Sequence, residues 1–260
     1  MTIHRTAIVD SKAQICEGVS IGAFSIVHEN VIIGSDTRID SHCEIGYPTK
    51  LAEGMPLIIG KNSLIRSHSI FYQGSTFGEN LVTGHRVTVR EKTHAGINLR
   101  IGTLVNIQGD CELGDCVRAH SNVNISKLSR IGNFVWLFPY VELTNDRHPP
   151  SQQLVGVIVE DYAVVCAMTV VLSGVHIGQG SVVGAHSLVN RDVPADTVVV
   201  GSPACKLCMA AEIISKDGYQ VPAYPWIRHF HRGFPTEKVK EWLKQFPVLQ
   251  KAKDSSRSDK

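Results

Sequence analysis

Long apolar runs are missing from this 260-residue chain; none reaches the roughly 18 to 20 residues that a membrane-spanning helix needs. No membrane partner is expected. The opening residues, MTIHRTAIVDSKAQ, lack the apolar stretch of a signal peptide, so a cytoplasmic location is expected. An excess of charge of one sign is also missing. The 26 Lys and Arg against 24 Asp and Glu leave a net charge of +2, which offers nothing to a nucleic acid. The seven cysteines, at positions 16, 43, 111, 116, 166, 205 and 208, form an odd set without framework spacing, which points to reduced thiols rather than a disulfide scaffold. Cys205 and Cys208 are a lone C-x-x-C with no second pair, so a metal site is not expected there.

What the chain does have is a period of six. Every sixth residue from Val9 to Ile45 is apolar, the phase slips by two, and the series resumes from Ile59 to Leu143. It slips again by four and continues from Val159 to Val189. Of these 28 positions only Thr83 is polar, whereas a 43% apolar composition predicts about 12 apolar residues. Four residues after each apolar position the side chain is nearly always small or β-branched, as at Ala13, Ser25, Thr37, Cys43, Ser63 and Val123, with Leu81 and Leu99 as bulky exceptions. Glycine recurs directly after the apolar position (Gly22, Gly34, Gly60, Gly102, Gly132), where a tight corner is expected to need its backbone freedom. One hexad is then one short strand and one corner, and three hexads close a triangular coil of 18 residues.

This pattern resembles the hexapeptide-repeat, left-handed β-helix family, and the resemblance implies an all-β solenoid of about nine stacked coils. The prism is expected over residues 1–204, with a loop inserted at 144–158. A mainly helical region follows at 205–250, where Val239, Trp242, Leu243 and Phe246 keep i, i+3, i+4, i+7 spacing, and 251–260 reads as a disordered tail. The cluster Arg228, His229, His231 and Arg232 reads as a solvated basic loop, with binding of a phosphate of substrate or coenzyme as the alternative.

The second slip is the functional signal. A solenoid gains no burial by looping out ELTNDRHPPSQQL, and solenoid insertions usually sit on the binding face, the alternative being a loop that only packs on a neighbouring subunit. The 18-residue coil stacks Asn106, Asn124 and Glu142 into one outward polar column leading into the loop. His120 and Asn122 fall one coil below Phe138 and Tyr140, so Glu142, Asn145, Asp146 and His148 are expected to share a cleft with Asn124 and His120. An outward, hydrated His120 beside carboxylates is expected to titrate near its reference value of about 6.5 and to serve as a base, with Asp146 or Glu142 positioning an amine. A plain side-chain ladder is the bland alternative for Asn106 and Asn124.

At these residues the resemblance narrows. TGHRVTVREKTHAGINLRIGTLVNIQGDCELGDCVRAHSNVNI followed by FPYVELTNDRHPPS is similar to the dTDP-amino-dideoxyhexose N-acyltransferases over residues 75 to 205, with T-N-D-x-x-P-P as the specific signature. That resemblance implies a cytoplasmic homotrimer that transfers an acyl group from acyl coenzyme A, acetyl coenzyme A foremost, to a nucleotide-linked amino sugar for bacterial surface glycans such as O-antigen. It also implies that Asn145 and Asp146 hold the sugar and that His120 reaches it across a subunit boundary. WLFPYV stands where FIGPNV is frequent, and the sugar and the position of its amine stay open. Coenzyme A is expected along the later coils at Ala167, Gly184 and Ala185, with Arg191 and Lys206 for its phosphates. The exposed aromatic residues Trp136, Phe138 and Tyr140 favour a trimer.

Three rival readings remain. The opening IHRTAIVDSKAQICEGVSIGAFSIV resembles LpxA-like UDP-N-acetylglucosamine O-acyltransferases, although the H-x-x-H-D segment of that family is lacking. A prism of the γ-carbonic-anhydrase type needs three convergent histidines, and His68, His85, His94 and His120 sit at four different hexad offsets. A non-enzymatic scaffold would use only the flat faces.

Overall fold

The computed structural model describes residues 1–214 and, beyond them, 216, 222–224, 237 and 240. The chain winds through strands of two to five residues that pair with neighbouring strands, and the pairs assemble into three sheets of 12, 10 and 9 strands. We number these faces first, second and third. Apart from the last, antiparallel pair of the first face, pairing is parallel and usually 18 residues apart, as in Asn106 with Asn124 and Arg118 with Trp136, so each coil contributes one rung to each face. The faces therefore hold nine or more parallel rungs, in line with the expected coil count.

The hexad residues fill the bore: Ile33, Ile45, Ile65, Phe71, Ile107, Ile125 and Leu143 are all buried. The second, small column also faces inward, and its hydroxyls and thiols bond coil carbonyls, for example Ser25 Oγ to Asp40 O at 2.8 Å. Thr83, the polar exception, is 1% exposed, and its Oγ1 accepts the Arg66 N–H at 2.9 Å. A buried hydroxyl is tolerated here because it replaces a carbonyl of the coil ladder.

The corner glycines have a different cause from the expected one. Positive φ falls two residues later, at Phe24 (57°), Asn62 (57°) and Leu104 (61°), and not at Gly22, Gly60 or Gly102. The glycines are instead places where coils touch. A Cβ on Gly102 would lie 2.4 Å from the Ser121 nitrogen, and one on Gly60 would lie 2.5 Å from the Gly78 carbonyl carbon. Close stacking of backbones, rather than turn geometry, selects them.

Both slips of the period are insertions at the same corner. The first links strand Glu44–Tyr47 of the second face to Leu57–Ile59 of the third, and the second links Glu142–Leu143 to Ile158–Val159. At the C-terminal end, Thr197–Val200 continues the first face, residues 201–204 turn, and Cys205–Met209 returns antiparallel along it. The helical character expected from 205 onward is thus replaced by strand as far as Met209, because pairing with Val198 and Val199 covers the last rung. The returning segment also buries an outer surface. Val164, Val182 and Val198 pack with Ala210, and Ile213 and Tyr224 pack against that cluster. All seven cysteines are free thiols. Glu237 and Lys240 are helical; Val239, Trp242, Leu243 and Phe246, the Arg228 to Arg232 cluster and residues 251–260 lie outside the described residues. No helix among the described residues is long and apolar enough to cross a membrane.

Candidate functional site

The predicted polar column exists. Asn106 Nδ2 donates to Asn124 Oδ1 at 2.8 Å, and Asn124 Nδ2 donates to Glu142 Oε1 at 2.5 Å. Gln108 Nε2 adds a second bond to Asn124 Oδ1 at 3.2 Å. The three residues occupy adjacent rungs of the second face, with the side chains running along the prism axis. Asn106 and Asn124 thereby form an amide ladder, and the ladder ends on a half-buried carboxyl. Burial raises the Glu142 pKa, and the Asn124 hydrogen bond offsets part of the rise.

The inserted loop leaves the prism directly after Glu142 and is closed by its own polar residues. The Asp146 carboxylate accepts from Ser151 Oγ at 2.6 Å, Ser151 N at 2.8 Å and His148 N at 3.1 Å. These bonds, that from the Ser151 hydroxyl foremost, hold its pKa below the ordinary value. Asn145 Nδ2 reaches down one coil to Lys127 O at 3.3 Å, and Asn145 O accepts Val155 N at 2.8 Å. The structure gives Asn145 and Asp146 a shaping role in the loop. His148 is exposed at its outer side.

His120 departs from expectation in two respects. It follows strand Arg118–Ala119 on the first face, so it sits at the corner before the second face, whereas the loop leaves from the corner after it. Within one chain the amide ladder lies between His120 and Asn145. Its surroundings are aromatic and cationic rather than acidic. The imidazole stacks on Phe138 with centroids 4.8 Å apart and planes 13° apart, and Trp136 lies 6.3 Å away. Arg118 sits on the same strand, its guanidinium 4.8 Å from the Trp136 ring centroid. Burial first, and Arg118 second, lower the His120 pKa below the expected 6.5. Its Nε2 is buried without a hydrogen-bond partner among the described residues. Neighbouring coils cover the ring, which sequence spacing alone does not report.

The proposed coenzyme A residues separate into two groups. Ala167, Gly184 and Ala185 gather at the corner between the first and second faces, where His186 N bonds Ala167 O at 3.0 Å. The backbone donors of Cys166, Met168, Gly184 and His186 all bond neighbouring coils. Arg191 follows the last strand of the second face, Leu188–Val189, and so lies at the other corner. Lys206 is exposed on the returning strand. Among the described residues no group of three or more His, Cys, Asp or Glu is placed to hold a metal ion. A concavity on the third face, lined among others by Glu112, Arg130, Ile158 and Glu160, contains none of the predicted site residues.

Comparison with known proteins agrees with this architecture. The family model described as "Bacterial transferase hexapeptide (six repeats)" matches residues 12–47. The chain is similar to 2,3,4,5-tetrahydropyridine-2,6-dicarboxylate N-acetyltransferase of Staphylococcus aureus, with 45% identity over 65 residues, which is 25% of this chain and 26% of that protein. The chain thus spans about a quarter of the length of the curated relatives it matches. Among solved structures it is similar to UDP-N-acetylglucosamine O-acyltransferase (LpxA) from Moraxella catarrhalis, with TM-score 0.51, 22% identity, and 99% and 97% of the two chains covered. LpxA from Bacteroides fragilis matches with TM-score 0.54 and 14% identity over 91% and 80%. The period, the three parallel faces and these likenesses define a hexapeptide-repeat, left-handed β-helix protein.

Proposed function

We propose that this protein is an acyl-coenzyme-A-dependent N-acyltransferase that acylates the amino group of a nucleotide-linked amino-dideoxy sugar, acting in the cytoplasm as a homotrimer. The observation that carries the reading is the T-N-D-x-x-P-P loop, closed around Asp146 and rooted on the rung where the amide ladder ends at Glu142. Similarity to a named N-acetyltransferase over 65 residues supports the transfer of an acyl group to nitrogen. The tetrahydropyridine acceptor of that relative is not carried over, since the matched segment is a quarter of its length.

The chemistry needs no covalent enzyme intermediate, because a thioester is already activated. The neutral sugar amine attacks the thioester carbonyl carbon, the C–N bond forms, and a tetrahedral oxyanion appears. The C–S bond then breaks and coenzyme A leaves as thiolate. One ammonium proton is released, and the His120 imidazole is the group that accepts it. A depressed pKa keeps the imidazole neutral at cellular pH, and so ready as an acceptor. The Glu142 carboxyl and the Asn145 to His148 loop edge orient the amine, and Asp146 keeps that edge in shape. Since His120 and the loop leave opposite corners of the second face, we assign the complete site to two adjacent subunits: His120 from one and the loop from its neighbour.

The test is a titration with acetyl coenzyme A followed by acceptor assays. Saturable donor binding and acylation of a dTDP-linked amino sugar support the reading. Transfer only to a hydroxyl acceptor would make the enzyme an O-acyltransferase, and no affinity for acetyl coenzyme A would leave a binding scaffold.

A further inference from the structure

The second face carries another ordered feature, toward the N-terminal end of the column that leads into the loop. Successive rungs there present His28, Tyr47, Tyr72, Arg90, Gln108, Ser126 and Thr144, with Tyr47 and Tyr72 in register. The two tyrosine rings are 4.9 Å apart and tilted by 45°, and Tyr47 is 40% exposed. The Arg90 guanidinium lies 5.7 Å from the Tyr72 ring centroid. It is held there by Glu91, whose carboxylate is 2% exposed and accepts from Arg90 at 3.0 and 3.3 Å. A buried carboxylate that fixes an arginine over the half-buried Tyr72, beside the exposed Tyr47, is a pre-organised stacking surface, with a flat π face and a planar cation. Beyond it, Gln108 joins the Asn106 to Glu142 ladder. From the Tyr72 rung to the Glu142 rung is four coils, about 19 Å at a strand spacing of roughly 4.8 Å.

We propose that Tyr47, Tyr72 and Arg90 form the platform on which the nucleobase of the sugar nucleotide stacks, with the diphosphate and sugar extended along the amide ladder toward Glu142. This rests on the acyltransfer reading for the identity of the sugar end, but the base platform is testable alone. Aromatic stacking on tyrosine and on guanidinium tolerates either pyrimidine, whereas hydrogen bonding to base edges would select one. The order along the face, stacking platform then amides then carboxyl, follows the order of base, diphosphate and sugar in such a molecule.

Equilibrium binding of dTDP, UDP and coenzyme A to the full-length chain, by calorimetry, tests it. Tyr72→Ala and Arg90→Ala should each weaken dTDP and UDP binding about tenfold or more, while Tyr72→Phe stays close to wild type and coenzyme A affinity is unchanged. Thermal melts establish that the variants are folded. Wild-type diphosphate affinity in folded Tyr72→Ala, absence of diphosphate binding in the wild type, or competition between coenzyme A and dTDP would each overturn the platform. The two readings fail separately. Acylation of a dTDP-linked amino sugar by Tyr72→Ala with unchanged KM removes the platform and leaves the acyltransferase. Platform-dependent dTDP binding without any acylation removes the acyltransferase and leaves a nucleotide site.

Discussion

The His120 ring lies parallel to that of Phe138, one coil above it, at 4.8 Å and 13°. A histidine stacked in this way is half-buried, and the charged imidazolium is the form that burial and Arg118 both oppose. As a base it is therefore neutral over a wider pH range than a hydrated histidine would be.

His120→Asn should lower kcat about 10² to 10⁴-fold, the usual span for losing a general base. In the wild type the acidic limb of kcat/KM against pH should have its midpoint below 6.5, and the variant should lose that limb. Retention of the limb in the variant would pass the proton to the coenzyme A sulfur.

Glu142→Gln separates charge from hydrogen bonding, since glutamine still accepts from Asn124. The folded-state pKa of Glu142 is raised, so between the unfolded and folded values the folded chain holds more protons, and this carboxyl's contribution to stability is lost as pH rises through that window. The variant should melt higher than wild type at pH 8 and equal to it at pH 3, while acylation falls. Equal melting at both pH values would contradict the burial effect.

Asn145→Ala and Asp146→Asn should each cut kcat/KM by about tenfold or more while the melting temperature moves by only a few degrees. The hydrogen bonds lost lie in the loop, outside the coil ladder. Steady-state kinetics with thermal melts decide it, and wild-type kcat/KM in both variants removes the loop from the site.

Gly102→Ala should destabilise the prism by about 1–3 kcal/mol, because its Cβ would meet the Ser121 backbone at 2.4 Å. Chemical denaturation followed by circular dichroism measures this. A neutral result would mean that neighbouring coils separate at little cost.

Light scattering should return three times the 28.5 kDa chain mass. Tyr140, at 55% exposure, and Leu128, at 41%, are apolar surface that a neighbouring subunit would cover. A monomer at micromolar concentration would also break the two-subunit site.

The sequence by itself determined the solenoid, its two inward columns and the stacking of Asn106, Asn124 and Glu142. These follow from a repeat that returns each position to the same place every 18 residues, so that one-dimensional spacing is already three-dimensional proximity. It also located the inserted loop, since a break in a period is as visible as the period. Only the tertiary structure decided what depends on neighbours that the repeat does not index. It showed that Gly102 is a contact between coils and that Asp146 is spent on its own loop. It placed Val164 and Val182 under the returning strand and gave His120 an aromatic and cationic wall in place of an acidic one. Burial and pKa depend on every atom packed around a group, and a hexad pattern records only which way each side chain points.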